Sequence, residues 1–236
     1  MVERLLCKQE ASGSIPLFSI MLYPLPDKEY VYRMIMSGFF TKEEVNNDLN
    51  LLEINYQACR DEYRQAKHRL VYIDSDDGSK IAPLFGKYHP KTDLAELERI
   101  YDQAVYVNPE YDIFYTQNTV YMPTLFDLCL KVGIRERCSI QLLPPGECID
   151  WTTKSDPVYD EDMIIRGLWG IDVNPQNQET IQLLVQDSTN GVVNEVMMNN
   201  RLHFYWGKTP HHIFSNLSTP MVCLSFDNVV PIDNLL

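Results

Sequence analysis

The chain has 236 residues, 45% hydrophobic and 22% charged, which excludes disorder over its whole length and suits one large domain or one domain with a helical extension. Lys and Arg total 20 against 33 Asp and Glu, a formal net charge of −13, so neither nucleic acid nor an anionic membrane is an expected partner. The six cysteines form no C-x-x-C pair and match no zinc-finger spacing, residues 1–10 hold no long apolar stretch, and no run reaches transmembrane length. Reduced thiols in the cytoplasm are the expectation.

The spacing predicts strand-like pieces at 30–36 and 70–73 and a helix over 42–67. Thr41 and Glu44 have capping-box spacing, and Val45, Leu49, Leu52, Tyr56, Cys59 and Tyr63 recur at steps of four and three on one stripe. That stripe is read as the face that packs on the rest of the domain, or alternatively as a dimer seam. Residues 74–80 (DSDDGSK) read as a polar turn. A second helix is expected over 94–104, opened by Asp93 and Glu96. A third is expected over 124–132, between Pro123 and Gly133.

After residue 134 strand patterns take over. Strands are expected at 139–143, 163–173, 180–186, 193–198, 201–206 and 221–227. Asn190-Gly191 is a turn signal, and Asn199-Asn200 is expected to be a hairpin turn between the two strands that flank it. Short strands at this spacing predict a sandwich or barrel enclosing a pocket. The division is 1–133, a mainly helical region packed on the barrel, and 134–236, the barrel itself.

Two segments carry the functional reading. Residues 143–156 read LPPGECIDWTTKSD, and 205–216 read YWGKTPHHIFSN, continuing through Pro220 to Phe226-Asp227. They resemble the double-stranded β-helix of 2-oxoglutarate/Fe(II) oxygenases, in the aspartyl/asparaginyl β-hydroxylase-like and prolyl-hydroxylase-like branches. The likeness rests on the Pro144-Pro145-Gly146 turn, Ile149, Trp151 and the run from His212 through Asn216 to Ser218. It covers roughly the last two-fifths of the chain and implies an α+β fold: a double-stranded β-helix (jelly roll) with an N-terminal helical region packed on it.

The departures bear on chemistry. With Trp151 in its place, the first metal histidine falls on Thr152 and the metal carboxylate on Lys154. The arginine for the far carboxylate of 2-oxoglutarate falls near Met221 or Val222. Fe(II) in such sites rests on two histidines and a carboxylate, and one imidazole does not retain it. The resemblance therefore implies an oxygenase-like protein with an incomplete iron site. Such a protein is a binding or structural module for a small acidic molecule or a protein partner, with no cofactor.

The alternative is an active hydroxylase using Fe(II) and 2-oxoglutarate. Its metal would rest on His212 with Asp156 or Asp150, and on His211 or His203 as a second imidazole. Arg166, Tyr205 and Trp151 would bind the cofactor, Arg166 gripping a carboxylate through its planar fork. Each residue has a plainer reading: Asp156 before Pro157 shapes a turn, Arg166 forms a structural ion pair, and Trp151 and Tyr205 fill a core. His211 is expected to face away from His212, since neighbours on a strand alternate. A second alternative is a cupin-like binding protein or isomerase. No G-x-G-x-x-G, P-loop or G-x-S-x-G is present, and no histidine is tied in sequence to Cys148 and Asp150 as a nucleophile pair.

Overall fold

The computed structural model describes the backbone of residues 38–152, 162–176, 178–186, 191–207 and 209–231; the strand expected at 30–36 lies outside them. Helix α1 (Lys42–Val45) opens with the expected capping box. The Thr41 hydroxyl accepts from the Glu44 amide at 3.3 Å, and the Glu44 carboxylate accepts from the Thr41 amide at 2.7 Å.

The single helix expected over 42–67 is instead broken twice. A 3-10 turn (Asn47–Leu49) and α2 (Asn50–Ile54) separate α1 from α3 (Tyr56–Ala66). An asparagine stands at each break. Asn46 is extended (φ −171°), accepts from the Asp48 amide and donates to the Val132 carbonyl. Asn55 (φ −95°, ψ 13°) donates from its side chain to the Leu51 carbonyl. Both side chains offer the backbone a partner other than the next turn of helix. The apolar stripe nevertheless survives as a core face: Leu49, Leu52, Cys59 and Tyr63 are buried. Its side chains pack on the rest of the domain, as expected.

Three shorter helices follow. In α4 (Leu94–Tyr101) Asp93 accepts from the Ala95 and Glu96 amides. The helix stops short of 104 because Asp102 turns left-handed (φ 51°). Then come α5 (Asn118–Tyr121) and α6 (Pro123–Lys131), the latter packed on α2 and α3.

Among the described residues there are twelve strands: β1 (Ile73–Asp74), β2 (Lys80–Lys87), β3 (Val105–Asn108), β4 (Ile113–Thr116), β5 (Arg137–Leu143), β6 (Cys148–Thr152), β7 (Asp162–Asp172), β8 (Ile181–Gln186), β9 (Val192–Val196), β10 (Leu202–Trp206), β11 (His211–Ser215) and β12 (Met221–Pro231). They form an eight-stranded sheet of order β10-β7-β12-β5-β2-β4-β3, with β1 on β2, and a four-stranded sheet of order β6-β11-β8-β9. The last eight strands pass back and forth between the sheets, so that β10-β7-β12-β5 faces β6-β11-β8-β9. That arrangement is a double-stranded β-helix.

Alternation along these strands separates two cores. Trp169, Phe204, Leu224 and Phe226 face the helices, whereas Leu168, Tyr205 and Cys223 face Ile181, Leu183, Val185 and Ile213 of the smaller sheet.

Two expectations change here. The boundary placed at 133/134 crosses a continuous sheet, because β2 pairs with β5 and carries β4 and β3 beyond it. Pro83 and Gly86 disguise β2 as a loop. In the structure a register shift falls between Pro83 and Phe85, and Gly86 pairs with both Arg137 and Phe114. Nor is Asn199-Asn200 a hairpin turn: β9 pairs with β8, and β10 with β7. The two asparagines carry the chain from one sheet to the other. Asn200 has φ 59°, and the Asn199 side chain imitates a strand by accepting from the Val173 amide (2.7 Å) and donating to its carbonyl (2.5 Å).

Candidate functional site

On the interior side of the larger sheet, polar residues alternate with apolar ones that face the helices. Arg137, Ser139 and Gln141 of β5 alternate with Cys138 and Ile140, and Ser225 and Asp227 of β12 with Leu224 and Phe226. The register sets Arg166 opposite both Tyr205 and Asp227. Arg166 donates to Asp227 from Nε (2.8 Å) and Nη2 (3.2 Å), while Arg137 donates to the same carboxylate from Nε (2.9 Å). The Arg166 and Asp227 side chains are only 6% and 13% exposed, so this is a buried ion pair.

Burial alone would discharge the Asp227 carboxyl. Arg137 and Arg166 outweigh it and hold that carboxyl well below the usual carboxylate range, and Asp227 in turn raises Arg166 against its own burial. The Tyr205 phenol is pushed up to about 12 by burial, against the opposing pull of Arg166.

These groups wall a cavity between the sheets, closed on the far side by Ile149, His211 and Ile213. Its volume is about 10 Å³, room for the centre of roughly one water molecule. Gln141 donates to Ser79 at 3.1 Å, and Asp77 accepts from the Ser79 amide and hydroxyl. The Ser139 hydroxyl is buried and has no hydrogen-bond partner among the described residues. An uncompensated polar atom in such a wall calls for a ligand or a water.

The expected metal position can now be located. His211 faces the cavity, its ring centroid 4.7 Å from that of Tyr205, while His212 falls on the opposite face of β11. The alternation that was expected to turn His211 away from His212 thus operates with the register one residue earlier. Across from His211 on β6 stands Thr152, brought there by a bulge that shifts the β6–β11 register between His211 and Ile213.

Asp156 lies outside the described residues; of Asp150 and Trp151 only the backbone, in β6, is described. His203 also points inward, but it is bound to Glu195 of β9, whose carboxyl it keeps below the ordinary value. Among the described residues no three His, Cys, Asp or Glu side chains are grouped to hold an ion. Among the described residues, His211 thus stands opposite the Thr152 backbone position and lines the cavity with the Arg137 and Arg166 guanidinium groups. Of the residues expected to bind a cofactor, Arg166 and Tyr205 line the cavity, and Arg166 is engaged with Asp227. Arg137, Asp227, Ser139 and Ser225 were not among the expected site residues, although the polar–apolar alternation of RCSIQ and CLSFD marks them.

Fold and cavity together define a double-stranded β-helix protein with a buried arginine–aspartate site between its sheets. No family model and no curated protein matches the sequence. Among solved structures the chain is similar to a Pseudomonas putida prolyl-4-hydroxylase (14% identity, TM-score 0.44, 73% of this chain and 84% of that one). It is similar also to a 2OG-Fe(II) oxygenase family oxidoreductase from Burkholderia pseudomallei (9%, 0.47, 71% and 76%). A third is a Trichoplax adhaerens prolyl hydroxylase in complex with a hypoxia inducible factor peptide fragment (14%, 0.45, 87% and 91%). Among the described residues no helix is long and apolar enough to cross a membrane.

Proposed function

We propose that this protein is an oxygenase-like binding module whose iron site is incomplete and which holds a small acidic molecule at the partly exposed Arg137, at the edge of the inter-sheet cavity. The observation that carries the reading is the Arg166–Asp227–Arg137 triad packed beside His211, whose cross-strand partner is Thr152. Two guanidinium groups sharing one carboxylate leave a net positive charge in the cavity that His211 lines. That field repels Fe(II) and attracts an anion. A cytoplasmic setting agrees with the buried free thiols of Cys59, Cys129, Cys138 and Cys223.

The test is an anaerobic titration of metal-stripped protein with Fe(II) and then 2-oxoglutarate, followed by visible absorption and by the iron retained after desalting. The expected result is no charge-transfer band and no retained iron. A saturable band that disappears in His211→Ala would overturn the reading in favour of an active hydroxylase with an atypical metal site.

A further inference from the structure

The interior face of the larger sheet continues past the barrel. Beyond Arg137 the register runs to Gly86 and then to Phe114. A Cβ at Gly86 would stand 2.7 Å from the Phe114 ring, so the ring occupies the space that a side chain at 86 would take. Tyr101 of α4 stacks on Phe114 with centroids 6.1 Å apart. Alongside lies a cleft of about 190 Å³, walled by Phe114, Ile164 and Val229, with the Lys87–Glu136 ion pair (3.0 Å) among its polar lining.

Arg137 lines both this cleft and the inter-sheet cavity. Its Nε and Nη2 bind Asp227, with Ser225 at the limit of Nη2 (3.4 Å). Among the described residues its Nη1 makes no hydrogen bond. Two residues along the same face of β5 is the unpartnered Ser139 hydroxyl. A half-exposed guanidinium with one uncommitted nitrogen thus stands between a polar chamber and an apolar one.

We propose that the site takes a monocarboxylate with an apolar tail, its carboxylate between Arg137 and Ser139 and its tail along Phe114, Ile164 and Val229. The assignment rests on the reading of the cavity as an acid site and specifies the acid. A dicarboxylate of equal length would set its second charge on the apolar wall, where Lys87 is already bound to Glu136.

The test is calorimetric titration of the full chain with acetate, butanoate and hexanoate, with glutarate and 1-hexanol for comparison. Affinity is expected to rise about fourfold per methylene, as burial of apolar surface dictates. Hexanol is expected not to bind, and Arg137→Gln to lose the whole series. Val229→Asp, at a partly exposed position, keeps the fold testable if Arg137→Gln does not fold. It is expected to abolish the gain with chain length. Glutarate binding more tightly than hexanoate, or an affinity flat along the series, overturns the tail assignment while the acid-binding reading stands. Failure of every carboxylate to bind overturns both.

Discussion

Asp227 faces Arg166 across β12 and β7 and accepts two hydrogen bonds from it, while the same carboxylate accepts two more from Arg137 on β5. One residue therefore ties three neighbouring strands together on their interior side. Replacing it by asparagine removes the charge and leaves the Arg166 guanidinium buried without its counter-ion. Asp227→Asn is expected to cost about 3–5 kcal/mol in urea unfolding, the range found when one partner of a buried pair is removed. The exposed Arg99–Glu96 pair, disrupted by Arg99→Gln as a control, is expected to leave the urea midpoint unchanged.

The same carboxylate sets the acid limb of stability. In the folded protein Arg137 and Arg166 hold Asp227 below the usual carboxylate range, and Arg64 and Asn174 do the same for the less buried Asp172. An unfolded aspartate takes up its proton near pH ~3.9. Below that pH the unfolded chain binds protons that the folded one refuses, so their stabilisation is complete above about pH 4–5 and drains away as pH falls. Urea midpoints are expected to be level in this respect between pH 7 and 5 and to drop below about pH 4, less steeply in Asp227→Asn. An equally steep drop in the variant would refute the assignment to Asp227.

At the crossing between the sheets, Asn199 satisfies both backbone groups of buried Val173. Asn199→Ala leaves an amide and a carbonyl without partners, a loss of about 1–3 kcal/mol for each group that stays unsatisfied. Hydrogen exchange at the Val173 amide gives the readout: protection there is expected to fall before protection in β12 does.

Leu52 is fully buried on the helical stripe. Leu52→Ala is expected to cost about 2–5 kcal/mol with no change in sedimentation coefficient under native conditions. A variant that changed its association state but kept its stability would return the stripe to the role of dimer seam.

How far these features could be read from sequence depended on how local their causes are. The capping box at Thr41, the N-cap at Asp93 and the period-two pattern of residues 181–186 are set by neighbours a few positions away, and they appear where expected. The strand over 80–87 was missed because Pro83 and Gly86 are locally unfavourable; the reason for the glycine, the Phe114 ring, lies 28 positions further along. Asn199-Asn200 carries a true left-handed signal, but a positive φ does not say which strands it joins. That His211 rather than His212 faces the cavity follows from the regular pairing of β11 with β8, which sets His211 opposite the core residue Val185, a long-range match that leaves no mark near the histidines themselves. Arg166 announced an ion pair by its apolar surroundings, whereas naming Asp227, 61 residues away, required the register.

The continuity of β5 with β2 also governs how this chain avoids its own kind. A fragment starting at residue 134 would hold all eight barrel strands and yet present β5 as a seven-residue open edge, a ready template for docking another copy strand to strand. Among the described residues that side of the sheet ends instead on β3, four residues long. Strands β2, β4 and β3 thus act as a built-in terminator on that side, and their removal would favour strand-to-strand association.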